Sequence, residues 1–225
     1  MICLQEIVAI DRGGKEAYLE SVRTRWAPYA ERSRGMRLVW LGSTIGSTAE
    51  WPETIAVWEL RDWRHYAEVC ARMYTESSDD AELASWWREA SKIRLRSRSQ
   101  TLVAASFSPT LDDLSARGVA GTAFAFSTYH VRPGAMARFL RAFERHADEA
   151  TAHGRRLVGA YEVAFTNHLA YAIWAHRSLD EMTSYESRRR NARLAGCERW
   201  SEHWGFAVPG SPLWPRDEAT DARVW

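Results

Sequence analysis

Five side chains in the second half of the chain are of types that move protons: Tyr129, His130, Glu162, His168 and His176. Imidazole, phenol and carboxyl groups serve as general acids or bases once burial or a neighbouring charge tunes their pKa. Side-chain alternation along extended segments sorts them. In 168–176, His168, Ala170, Ala172, Trp174 and His176 point one way, and Leu169, Tyr171, Ile173 and Ala175 the other. The second set reads as a helix-facing stripe, which sends His168, Trp174 and His176 toward the interior of the fold. In 155–165, Glu162 falls with Val158, Ala160 and Ala164, a carboxylate amid small residues. In 122–131, Phe126 and His130 oppose Ser127 and Tyr129, and alternation leaves open which set meets a cavity. Trp58, Trp174, Phe126 and Trp40 are expected to line that cavity, giving an apolar wall suited to a flat ligand. The alternative for each group is an ordinary hydrogen-bonded packing role.

Other chemistries find less support. His168 and His176 would lie roughly 26 Å apart on a straight strand at about 3.3 Å per residue, so they cannot share a metal. Neither HExxH nor a paired-cysteine or facial-triad spacing occurs. Cys3, Cys70 and Cys197 are odd in number and far apart, which argues against a disulfide framework. The nucleophile elbow, phosphate-cradling glycine loop and dinucleotide fingerprint are missing from the sequence. No cofactor is therefore expected; the alternative is a haem held by one axial histidine, His146 or His203. A net charge of +1 gives no electrostatic case for nucleic acid or an anionic membrane. No window approaches the ~20 apolar residues of a spanning helix, and Met1–Ile10 lacks the pattern of a signal peptide. A cytoplasmic protein is expected.

The elements that must position these groups occur twice. Asp11-Arg12-Gly13-Gly14, Gly35-Met36-Arg37-Leu38-Val39 and Ala56-Val57-Trp58-Glu59-Leu60 reappear in order as Val131-Arg132-Pro133-Gly134, Gly154-Arg155-Arg156-Leu157-Val158 and Ala172-Ile173-Trp174-Ala175-His176. The offsets are 120, 119 and 116 residues, as expected of a duplicated unit with small loop deletions. Each copy opens with a strand, 2–10 or 122–131. A helix follows, carrying Leu19, Val22, Trp26 and Tyr29 or Phe139, Leu140, Phe143 and Ala147 at three- and four-residue steps. Gly35 and Gly154 end those helices, two strands follow at about 36–46 with 53–60 and 155–165 with 168–176, and Asp62 and Ser178 stand where N-caps are wanted. Residues 80–91 and 190–203 read as further helices and 93–104 as a fourth strand. The matching strand of the second copy is placed in doubt by Pro209, Pro212 and Pro215. Of the 12 tryptophans, Trp58 matches Trp174, and Trp86 or Trp87 is aligned with Trp200 or Trp204.

The fold class is thus α+β: two ferredoxin-like split βαβ repeats whose antiparallel sheets cover each other in an intramolecular barrel with helices outside. The domains are 1–107, a linker at 108–120, a second repeat at 121–215 and a tail at 216–225.

The second copy, with Tyr129-His130-Val131-Arg132-Pro133-Gly134, Leu157-Val158-Gly159-Ala160-Tyr161, Asn167-His168, Ile173-Trp174-Ala175 and Ser178-Leu179-Asp180-Glu181-Met182, resembles the NIPSNAP pattern of the dimeric α+β barrel superfamily. The likeness spans about 122–205, and 2–104 looks like a diverged version. Ser127 stands where that family often has an arginine. The resemblance implies the fold, and among its relatives are cofactor-free monooxygenases, polyketide cyclases, isomerases and haem enzymes. The expectation is an enzyme of bacterial specialised metabolism acting on a flat apolar, aromatic or polyketide-like small molecule by cofactor-free cyclisation, isomerisation or oxygenation. A non-catalytic binding protein and a haem enzyme are the rivals, and a homodimer is compatible with the sequence. The second copy is expected to hold the site, because Ile10 and Leu60 stand in the first where His130 and His176 stand in the second.

Overall fold

The computed structural model describes residues 1–11, 13–75, 80–188 and 194–216. The first repeat runs β1 Ile2–Ile10, α1 Lys15–Ser21, a π-helical segment Val22–Trp26, α2 Ala27–Arg34, β2 Arg37–Thr44, β3 Glu53–Leu60, α3 Trp63–Thr75, α4 Ala81–Ala90 and β4 Arg94–Ala104. A short helix α5, Leu111–Ala116, lies in the connection and is closed by a capping box between Thr110 and Asp113. The second repeat runs β5 Ala123–Val131, α6 Met136–Thr151, β6 Arg156–Val163, β7 Leu169–His176, α7 Leu179–Arg188 and β8 Cys197–Ala207. The expected helix caps form: Gly35 and Gly154 have φ of 63° and 88°, and Asp62 and Ser178 accept the N–H groups of His65 and Glu181 at 2.8 and 3.2 Å.

Eight antiparallel strands close in the order β1-β3-β2-β8-β5-β7-β6-β4. Each repeat supplies one four-stranded sheet, and the sheets join through Gly42–Thr44 against Gly205–Ala207 and Leu102–Ala104 against Tyr161–Val163. The enclosed core mixes both repeats: Trp40, Val57 and Leu102 meet Phe124, Phe126, Tyr161, Tyr171 and Ile173. Trp40 stacks edge-on to Phe126 at 4.8 Å and lies 5.4 Å from Phe124. A Gln5 side-chain N–H donates to the Tyr171 hydroxyl at 2.6 Å across the barrel. The centre of the barrel is thus lined by buried aromatic and aliphatic side chains of both repeats.

Three further expectations are corrected. The segment 190–203 is not a helix: its described part enters β8, which pairs with β5 from Ala123↔Phe206 to Val131↔Cys197; residues 190–193 lie outside the described residues. The fourth strand of the second copy therefore exists, and Pro209, Pro212 and Pro215 follow it without interrupting it. Trp86 and Trp87 sit on α4 and Trp200 and Trp204 on β8, so they are not counterparts. The first strands align with an offset of 121, Ile2–Ile10 on Ala123–Val131, one residue from the sequence alignment. Ile10 thus matches Val131, and that one-residue slip exchanges the two faces of the strand.

Candidate site at the sheet–helix interface of the second repeat

The face of β7 that carries Trp174 and His176 turns toward the helices, and the face with Tyr171, Ile173 and Ala175 turns into the barrel, the reverse of the expectation. Both sets are apolar enough to be core, so hydrophobicity gave no direction. Trp58 and Trp174 are indeed equivalent, but each packs under helices: Trp58 against Trp26, and Trp174 against Phe143 at 5.5 Å. Trp40 and Phe126 belong to the barrel core. Trp58 and Trp174 therefore face away from the barrel interior, where they were expected.

On the helix side of β5 sit Ser127 and Tyr129, the latter between Phe139 and Phe143 of α6 at 5.3 and 5.4 Å. His130 lies half-buried on the other face near the strand end, 6.1 Å from the exposed ring of His168. Burial, then Arg199 and His168, lower the pKa of His130. Glu162 is exposed, paired in register with Ala170 and Val103. The structure therefore separates the five candidates: Tyr129 and His176 share one interface, while His130 with His168, and Glu162, lie elsewhere.

Around Tyr129 and His176 the structure assembles groups that the sequence reading missed. Gly154 closes the end of α6 with its positive φ, the Arg155 N–H then donates to the Ala150 carbonyl at 3.1 Å, and the Arg155 side chain enters the interface. Its guanidinium, 0% exposed, bonds the Glu202 carboxylate of β8, lies 3.5 Å from Glu186 of α7, and packs over Trp174 and Tyr185 at 4.6 and 5.0 Å. Glu202, 5% exposed, also accepts from the Ser127 hydroxyl at 2.5 Å and the Trp204 indole at 3.1 Å. Ser127 and Glu202 face each other in the β5–β8 register. Burial acts to lower the Arg155 pKa, but Glu202 and the Tyr129 and Tyr185 phenols outweigh it, and the net shift is upward. Nε and Nη1 make no hydrogen bond.

His176 is 1% exposed, 5.9 Å from Tyr185, and neither ring nitrogen has a hydrogen-bond partner. Burial first, then the Arg155 charge, bring its pKa down to about 4. Unpaired polar nitrogens in a buried interface are costly and point to a missing partner. The floor beneath is small: Ala123, Ala125 and Ala160 stand where the first repeat has Ile2, Leu4 and Leu41. The first repeat also has Met36, Leu60 and Ser99 at the positions of Arg155, His176 and Glu202. The two histidines weighed as haem ligands are engaged differently. His203 stacks parallel on Phe126 at 5.1 Å inside the filled barrel, a place that does not suit a macrocycle, and burial holds its pKa at about 4. His146 borders the α6–sheet crevice edge-on to Trp174 at 6.2 Å. Among the described residues no group of three or more His, Cys, Asp or Glu side chains is placed to hold a metal. No described helix is long and apolar enough to cross a membrane.

Fold and site together define a tandem α+β barrel with a buried cation–carboxylate–imidazole cluster under the helices of one half. Residues 124–212 match the NIPSNAP family model, so the second repeat is NIPSNAP-like, as its motifs indicated. Curated proteins yield no match. Among solved structures, a candidate monooxygenase from Lactobacillus acidophilus superposes with a TM-score of 0.62 at 8% identity, over 92% of this chain and 93% of that one. A candidate monooxygenase from Fusobacterium nucleatum gives 0.58 at 9%, over 92% of both chains, and an anthrone oxidase-like protein gives 0.56 at 10%, over 92% of this chain and 91% of that one. At such identities the likeness is one of fold.

Proposed function

We propose that the chain is a small-molecule enzyme of specialised metabolism, acting without a tightly bound cofactor on a flat, largely apolar hydroxyaromatic or polyketide-like substrate. The observation that carries this reading is the pair formed by His176 and Arg155. A buried, uncharged imidazole without hydrogen-bond partners stands beside a buried guanidinium whose Nε and Nη1 make no hydrogen bond, over an aromatic wall and an alanine floor. Such a pair suits proton removal from an acidic C–H or phenolic O–H. The proton passes to a His176 nitrogen, and the electron pair settles on a carbonyl or phenolate oxygen facing Arg155. A base of low pKa requires an acidic donor, and the guanidinium makes the donor more acidic; the anion formed then raises the proton affinity of the imidazole. Tyr129, under the same helix, is assigned to substrate positioning. Cyclisation, isomerisation and oxygenation all begin with this step.

The names of the structural relatives direct the first assay toward an anthrone, followed by absorbance and oxygen uptake, with an anaerobic control. Turnover is expected, with His176→Leu and Arg155→Met each lowering kcat/KM by about 10²-fold or more. Both variants retaining full activity would overturn the assignment. Saturable binding without product supports the non-catalytic alternative, and a Soret band in the purified protein overturns the cofactor-free reading.

A further inference from the structure

Of the seven histidines, His130 and His168 are the two whose imidazole rings meet, with centroids 6.1 Å apart. They come from neighbouring segments of chain. His130 is next to last in β5 and pairs in register with Leu169, the first residue of β7, and His168 immediately precedes Leu169. The Val131 N–H donates to the His168 carbonyl at 2.7 Å, and the Thr166 hydroxyl closes the turn ahead of it by donating to the Val163 carbonyl at 2.7 Å. The backbones that carry the two rings are therefore fixed to one another.

The other histidines are held elsewhere. His65 uses both ring nitrogens in hydrogen bonds, His153 Nδ1 lies 2.8 Å from the Glu149 carbonyl, and His146 stands edge-on to Phe143 and Trp174. His176 and His203 belong to the helix-side interface and the barrel. His130, by contrast, is half-buried and His168 exposed, and neither ring has a hydrogen-bond partner among the described residues. The charges around the pair are Arg199, across from His130 in the β5–β8 register, and Glu198, which pairs with Arg132 at 3.5 Å. All three are exposed, so solvent screens them, and the Glu198 carboxylate offsets the Arg199 charge. What the pair offers a ligand is nitrogen lone pairs, not a net charge.

We propose that His130 and His168 chelate a divalent transition-metal ion of the zinc, nickel or copper kind at the end of the β5–β7 pair, with water completing its coordination. A zinc ion about 2.1 Å from one nitrogen of each ring lies roughly 3.2 Å from each centroid, so chelating rings stand about 5.2 Å apart at a tetrahedral angle and about 6.4 Å apart when trans. The separation of 6.1 Å falls inside that range. Neutral imidazole suits these metals, whereas magnesium and calcium take oxygen ligands. The site has two protein ligands, since no third His, Cys, Asp or Glu joins them among the described residues. It stands on the face of β5 opposite Ser127 and Tyr129 and is separate from the chemistry at His176.

Isothermal titration of the full chain with zinc, nickel and magnesium chlorides, at about pH 7.5 where an ordinary imidazole is neutral and at fixed ionic strength, tests the proposal. Saturable one-to-one binding of zinc and nickel is expected, with none of magnesium, and zinc should raise the thermal midpoint. His130→Gln and His168→Gln should each weaken zinc binding by about tenfold or more and lose the zinc-dependent rise in midpoint. Where one of them fails to fold, the other decides alone. His153→Gln, which removes an exposed histidine outside the pair, should bind as the parent does; loss of binding there places the metal elsewhere and overturns the site. Absence of saturable binding at submillimolar zinc or nickel, magnesium binding as tight as that of zinc, or a folded His130→Gln or His168→Gln variant that binds as the parent does also overturns it.

Discussion

At the scale of single residues, Arg155 and Glu202 illustrate how a buried ion pair acts as a unit. Removing one partner leaves an uncompensated charge, whereas replacing both with groups that fit is often neutral. The first repeat shows the substitution that the fold accepts, Met36 with Ser99. Arg155→Met alone should thus cost about 3–5 kcal/mol in urea unfolding at neutral pH. Arg155→Met combined with Glu202→Ser should recover most of that stability without recovering turnover. If the double variant is no more stable than the single one, the coupling is wrong. His176 makes a second prediction, in pH. Its folded pKa of about 4 lies below the ordinary histidine value of 6.5, so the unfolded chain binds a proton that the native state refuses. Its contribution is fully present above pH 6.5 and is lost as pH falls toward 4, with a slope on the order of 1.4 kcal/mol per pH unit. His203, held equally low in the barrel, adds to the same slope. His176→Leu, the residue of the first repeat, should flatten the slope in that window by about one proton; an unchanged slope would show that the imidazole is not buried neutral.

Among the elements, β2 and β6 fill the barrel by exchanging large and small residues. Trp40 and Gly42 in β2 correspond to Gly159 and Tyr161 in β6, so each strand folds one big ring over a glycine two residues away. A Cβ on Gly42 would lie 2.0 Å from the Phe206 carbonyl oxygen and 2.5 Å from the Trp40 ring. One on Gly159 would meet the Tyr161 hydroxyl at 2.0 Å, the far end of a side chain. Backbone cannot step aside as a side chain can, and Gly42 also lies in the short β2–β8 junction. Gly42→Ala should consequently lose roughly 1–3 kcal/mol or more by chemical denaturation, and should lose more than Gly159→Ala. The helix elements were foreseen more readily than β8. The stripe Leu19, Val22, Trp26 and Tyr29 is buried as its spacing requires, and Val22–Trp26 takes a π-helical turn just ahead of Pro28, whose missing N–H interrupts regular α bonding. In β8 the residues Cys197 to Trp204 are largely exposed and polar, so neither period stood out and the strand was read as a helix.

For the whole molecule, the interior belongs to both repeats at once. Neither four-stranded sheet can cover the face that carries Trp40 and Val57 or Phe124 and Tyr171 without the other. The full chain should therefore unfold in urea with one midpoint whether followed through the aromatic signals of one repeat or the other. The second repeat alone, residues 121–216, should self-associate to cover that face, as sedimentation would show. A well-folded monomeric half would contradict this account of the core. The two helix-covered faces, by contrast, are private to each repeat and have diverged: the first packs Trp26, Trp58 and Trp86 together, and the second keeps alanines, Arg155 and His176.

The sequence by itself determined the duplication, the order of strands and helices up to β8, the caps at Gly35, Gly154, Asp62 and Ser178, and the closed barrel, because periodicity, turn residues and caps act over a few neighbouring residues. It also singled out the second repeat as the one richer in ionisable groups. Only the tertiary structure decided which face of β5 and β7 meets the helices, since alternation defines two faces without naming them and a one-residue shift exchanges them. Only the fold, likewise, brought Arg155, His176 and Glu202 from three separate elements into one buried interface. Their meeting is set by strand pairing and helix packing across long stretches of chain, and local pattern carries no record of it.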